Sequence, residues 1–179
     1  MTDAAWSIEW HDALPSTMTR ARELALDGAP SGTVVVARFQ SDGRGTRGRP
    51  WHAAPDSCLM FTIIARPRLA PESLERLPLQ VSESIAEVLR SELGLVCVVK
   101  HPNDILVGGC KLCGVLCISH LVGQTVEWVL CGIGLNTTMT REQLPVDTAT
   151  SLAIESVTAP SHDELLPKLL DGLSWLLPT

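Results

Sequence analysis

VCVVKHPNDILVGGCKLCGVLCISHLVGQTVEWVLCG, residues 96–132, reads as four apolar segments separated by turn residues. Val96 to Lys100, Asp104 to Val107, Lys111 to Ser119 and Thr125 to Gly132 are rich in β-branched and apolar side chains, which fit a pleated, half-buried surface. Between the middle pair, Gly108-Gly109 is a favourable two-residue hairpin turn because glycine accepts positive φ. The stretch predicts an antiparallel meander.

Upstream, Thr33 to Phe39 and Cys58 to Ala65 are further β-branched, apolar runs and read as largely buried strands. Leu79 to Leu93 repeats Val81, Ile85, Val88 and Leu89 at helical spacing, with Pro78 near its first turn and Gly94 just past its end. Thr17 to Asp27 predicts a second helix, capped by Ser16, striped by Met18, Ala21, Leu24 and Ala25, and stopped at Gly28. A last amphipathic helix is expected from about Ser161 to Leu177, broken or kinked near its start by Pro167. This order of elements predicts an α+β domain, one mixed or antiparallel sheet with helices mainly on one face.

The 179 residues are enough for a single domain with its own core, and 45% hydrophobic against 19% charged residues is a globular composition. A formal charge of −6 argues against a broad nucleic-acid surface, so no nucleic-acid partner is expected. Met1 to Trp10 is acidic without a basic, apolar leader, and no run of 18 apolar residues occurs, so no membrane partner and a cytoplasmic location are expected. Cys58, Cys97, Cys110, Cys113, Cys117 and Cys131 sit mostly in apolar stretches and read as reduced, structural thiols. Cys110-x-x-Cys113-x-x-x-Cys117 lacks a fourth ligand, so no metal centre is expected there.

The chemistry concentrates in QSDGRGTRGRPW, residues 40–51, where Gly43, Gly45 and Gly48 share a loop with Arg44, Arg47 and Arg49. Glycines let backbone N–H groups approach an anion, and arginine presents forked donors, so the loop suits a nucleoside triphosphate whose base Trp51 could stack. The glycines also match the dinucleotide fingerprint. That pattern requires a helix to open at the third glycine, whereas Arg49-Pro50-Trp51 and Pro55 lead into another strand. A solvated basic loop is the bland alternative.

Asp104 and Lys111 flank the Gly108-Gly109 hairpin, so their strands are neighbours and both side chains can face one ligand if the register permits. Alone, such a pair is an ordinary surface ion pair. Gly132-Ile133-Gly134-Leu135-Asn136 ends a strand with two glycines and an amide, suited to close ligand approach.

Taken in order, Ser16-Thr17, Gln40, GRGTRGRPW, KHPND, KLCG, GIGLN and Ala149-Thr150-Ser151-Leu152 resemble the catalytic domain of biotin protein ligases over about residues 14–155. The resemblance implies a fold like that of class II aminoacyl-tRNA synthetases. It also implies a two-step reaction in which biotin and ATP, with Mg²⁺, give biotinyl-adenylate, and a lysine of a biotin carboxyl carrier protein then takes the biotinyl group. Carried over by motif, Ser16, Thr17, Gln40, Gly43, Arg44 and Gly114 would contact biotin. Arg47, Arg49, Trp51, Asn103, Asp104, Lys111 and Asn136 would contact ATP, with Lys111, Arg44 and Asp104 as the catalytic set. A homodimer through a sheet edge resembles some family members.

The sequence departs from the family pattern in four places. Thr46 stands for an arginine, His101 for a tryptophan, and Pro15 and Met18 for an Asp and an Asn flanking Ser-Thr. The chain is expected to lack both the N-terminal DNA-binding domain and the small C-terminal SH3-like β-domain of these ligases. Two alternatives follow: ligation of lipoate or another acid, and a biotin-binding or sensing protein with impaired catalysis.

Overall fold

The computed structural model describes residues 6–155 and 158–178. Seven strands form one sheet, β1 (Ser7–His11), β2 (Thr33–Ala37), β3 (Cys58–Ala65), β4 (Cys97–Lys100), β5 (Asp104–Val107), β6 (Cys110–Val122) and β7 (Thr125–Asn136). They lie in the order β1-β2-β3-β7-β6-β5-β4. Only β1 and β2 pair in parallel, and every other neighbouring pair is antiparallel. The expected α+β class with a mixed, largely antiparallel sheet is therefore what forms.

Helix α1 (Thr17–Leu26) crosses between the parallel strands, α2 (Leu77–Leu93) precedes the meander, and α3 (Leu152–Glu155) and α4 (His162–Gly172) follow it. One face of the sheet turns Val34, Val36, Leu59, Phe61, Ile63, Ile133 and Leu135 toward Val81, Ile85 and Leu89 of α2 and Leu165, Leu166 and Leu169 of α4, all buried. The opposite face is covered only in part, where Ala21 and Ala25 of α1 pack on Val35, Ile64, Trp128 and Leu130. Helices thus lie mainly on one face, and α1 leaves the other partly open.

Several boundaries differ from the sequence reading. Strand β1 was not expected: SIEWH alternates polar and apolar residues but holds only two apolar side chains, Ile8 and Trp10, and both stay exposed at the sheet edge. The two long strands β6 and β7 run past Ser119 and Gly132, joined by Gly123-Gln124 with Gly123 at φ 61. The predicted break at Pro167 does not occur, and α4 runs through it, started by a capping box in which Ser161 and Glu164 serve each other's backbone N–H. A short 3₁₀ turn at Ser174–Leu176 replaces the helix's predicted end. The Gly108-Gly109 turn forms as expected, both glycines having positive φ. No helix among the described residues is long and apolar enough to cross a membrane.

Candidate active site

On the partly covered face, β6 and β7 present glycines where large side chains would otherwise point. Gly114 pairs directly with Gly134, and Gly132 lies opposite Thr62 of β3. The indole of Trp51 lies on this floor. A Cβ at Gly134 would come within 2.7 Å of its ring, and one at Gly114 within 3.1 Å of the ring and 3.0 Å of the Lys111 Nζ. These positions need glycine because something packs on the backbone itself.

A first cavity opens beside α1, walled by Ser16, Thr17, Met18, Gln40, Thr62 and Gly132. Ser16 sits at the helix N-cap but makes no side-chain cap bond, contrary to the expected capping role. Gln40 supplies the missing acceptor, its Oε1 taking the Thr17 N–H at 2.6 Å. The Thr62 hydroxyl donates to the Thr17 hydroxyl at 2.9 Å. The result is a row of hydroxyls fixed by secondary structure. Asn103, expected beside ATP, lines this cavity instead, and its amide donates to the Val115 carbonyl at 2.6 Å.

A second, larger cavity of about 650 Å³ adjoins it, bounded by Arg49, Lys100, Asp104, Asn136, Val146 and Thr148. Gly45, Thr46, Trp51 and Lys111 line both. Lys111 therefore stands at their junction, with Nζ 2.6 Å from the Asp104 carboxylate and 5.5 Å from the Trp51 ring centroid. Its backbone is clamped as well, the N–H donating to the Thr148 carbonyl and the C=O accepting from the Thr150 N–H. Asn136 is buried and its Nδ2 donates to the Thr150 carbonyl at 2.8 Å, so this amide holds the clamp in place.

The glycine-arginine loop is an ordered small hairpin, with Gly45 N–H donating to Arg49 C=O and Trp51 N–H to Gly43 C=O. Gly43 is buried against Trp51, where a Cβ would meet the Trp51 carbonyl at 2.8 Å, and it lines a third cavity rather than the first. Arg44 borders the first cavity and pairs with Asp42 at 2.8 Å. Arg49 borders the second, its guanidinium donating to the Thr46 hydroxyl at 3.2 Å. Arg47 lies at the tip with φ 59 and lines none of the three cavities, so the structure does not bring it to the others.

Of the departures, Met18 and Thr46 form walls, whereas Pro15 and His101 are exposed and line neither cavity. Thr62 escaped the sequence reading, although a hydroxyl inside CLMFTIIA is a buried polar group that must find a partner. The Trp51 Nε1 is buried without a hydrogen-bond partner among the described residues. Burial pushes the Cys58 thiol up to about 12 and raises Cys113 further, consistent with structural thiols.

The sequence pattern of the Biotin/lipoate A/B protein ligase family matches residues 10–136. The chain is 35% identical over 147 residues to the bifunctional ligase/repressor BirA of Bacillus subtilis, covering 80% of this chain and 45% of that protein. It is 35% identical over 159 residues to a biotin–[acetyl-CoA-carboxylase] ligase of Mycobacterium tuberculosis, covering 83% and 56%. The chain thus spans about half the length of the curated relatives it matches. A biotin protein ligase from Aquifex aeolicus in complex with biotin and ATP superposes with a TM-score of 0.77 at 28% identity, over 94% of this chain and 69% of that one.

Proposed function

Since the chain belongs to the Biotin/lipoate A/B protein ligase family, we propose that it activates biotin with ATP and passes the biotinyl group to a lysine of a biotin carboxyl carrier protein. The observation that carries this reading is Lys111 at the junction of two cavities, one walled by hydroxyls and glycine and one by cations. An acid in the first cavity and a nucleotide in the second would meet at its ammonium.

Adenylation brings two anions together. A biotin carboxylate oxygen attacks the α-phosphorus, the bond to the β-phosphate breaks, and pyrophosphate leaves. A fixed cation at that point offsets the repulsion, most effectively as charge builds in the transition state. The clamped backbone and the Asp104 contact hold the Lys111 ammonium there without cost at the moment of reaction. The acceptor lysine then attacks the acyl carbon as a free amine and AMP departs. Asp104, at the same junction, is the group placed to take the amine's proton. No cysteine nucleophile is needed.

Among the described residues no group of three or more His, Cys, Asp or Glu is arranged to hold a metal. Mg²⁺ arriving with the nucleotide would be held by Asp104, the one carboxylate on the second cavity wall, and would supply neutralisation of phosphate charge. Edge strands β1 and β4 are where a homodimer would form, and the cytoplasm is the compartment in keeping with six free thiols.

A second reading concerns the acid. Met18 reaches over Gly132, its Cε 2.6 Å from where a Cβ would stand, and makes one wall apolar where the family pattern has asparagine. The test is mass spectrometry of a biotin carboxyl carrier domain incubated with the chain, MgATP and biotin, lipoate or octanoate. One biotinyl group on one lysine is expected. Modification by lipoate or octanoate alone would move the substrate, and no modification with any acid would overturn ligation.

A further inference from the structure

We propose that Thr62 is a positioning residue for the acid: by donating its hydroxyl to Thr17 it turns the Thr17 hydroxyl hydrogen into the first cavity, so that the head of the acid must present an acceptor there. This rests on the reading of the first cavity as the acid site.

Thr62 interrupts CLMFTIIA, a strand buried along its whole length, and is itself fully buried. Its neighbours Phe61 and Ile63 belong to the core behind the sheet, so the Thr62 side chain rises on the opposite face. There it lies across from Gly132 and lines the first cavity. A hydroxyl placed in an apolar strand loses its water and must find a partner. Thr62 finds it by donating to the Thr17 hydroxyl at 2.9 Å.

That bond sets the polarity of Thr17. Its N–H is already taken by the Gln40 Oε1 at 2.6 Å, which ties the first turn of α1 to Gln40. A hydroxyl carries one hydrogen and two lone pairs. With one lone pair occupied by Thr62, Thr17 keeps its own hydrogen, and no protein acceptor among the described residues takes it. Thr17 is buried yet lines the first cavity, so the cavity is where that hydrogen is directed. The next residue, Met18, adds only an apolar wall. The ureido oxygen of biotin is an acceptor of the kind this arrangement calls for, whereas a ring offering only N–H donors is not.

The test is equilibrium binding of biotin, iminobiotin and ATP, each alone, to the full chain and to Thr62→Val, Thr62→Ala and Thr62→Ser by titration calorimetry. Iminobiotin carries, in place of the ureido oxygen, an imine that is protonated at neutral pH, so its ring offers donors only. Without the Thr62 hydroxyl, Thr17 is free to turn. Thr62→Val and Thr62→Ala should weaken biotin roughly tenfold and leave iminobiotin and ATP within about threefold, narrowing the preference for biotin, and Thr62→Ser should restore it. Unchanged biotin affinity in Thr62→Val and Thr62→Ala, or equal weakening of biotin and iminobiotin, overturns the proposal. If the unsubstituted chain binds no biotin, the acid site falls and the role of Thr62 with it. If biotin binds and responds as expected but is never ligated, the ligase reading fails while the role of Thr62 stands.

Discussion

The two faces of one sheet do opposite things with the same strands. Along β7, Val129, Cys131, Ile133 and Leu135 point into a sealed core, while Leu130, Gly132, Gly134 and Asn136 alternate with them on the other side. The first set packs against α2 and α4. In the second, large side chains give way to glycine beyond the edge of α1, and the space is taken by Trp51, Met18 and the two cavities. A site is made here by leaving side chains out, with the continuous core directly behind it.

Substitutions on the two faces should therefore separate stability from binding. The largest effect is expected for Phe61→Ala in the core, where the side chain is fully buried. It should lower unfolding free energy by about 3–5 kcal/mol by denaturant titration, with KM for acid and ATP little changed in the protein that remains folded. Gly134→Ala on the other face should do the reverse. Its Cβ would strike the Trp51 ring at 2.7 Å and push the indole off the floor, raising KM roughly tenfold while changing stability by less than about 1 kcal/mol. A Gly134→Ala protein as unstable as Phe61→Ala with unaltered KM would break the division between the faces.

The core face was the legible one. Period and composition located β2, β3, α2 and the meander because burial there is decided by many apolar residues acting together. The second face depends on single residues whose meaning is tertiary. Nothing local shows that Gln40 rather than Ser16 serves the Thr17 N–H, or that Asn103 turns toward the first cavity and Arg47 away from both. Edge strand β1 was missed because its alternation rests on only two apolar residues, Ile8 and Trp10, which the sheet edge leaves exposed. Pro167 misled because its neighbours Leu165, Leu166, Leu169 and Leu170 are all buried, and their packing outweighs the loss of one helical hydrogen bond. Residues of separate motifs do meet in space: Lys111, Asp104, Trp51 and Arg49 line one cavity, a convergence that their order along the chain does not reveal.

Lys111 stands where an acid would be joined to a nucleotide. Biotin-dependent exchange of labelled pyrophosphate into ATP, measured with Mg²⁺ on the chain and on Lys111→Ala, isolates that step. Exchange should require biotin and fall about 10²- to 10³-fold in Lys111→Ala, with biotin affinity reduced far less. Exchange at an undiminished rate in Lys111→Ala would remove Lys111 from the adenylation step.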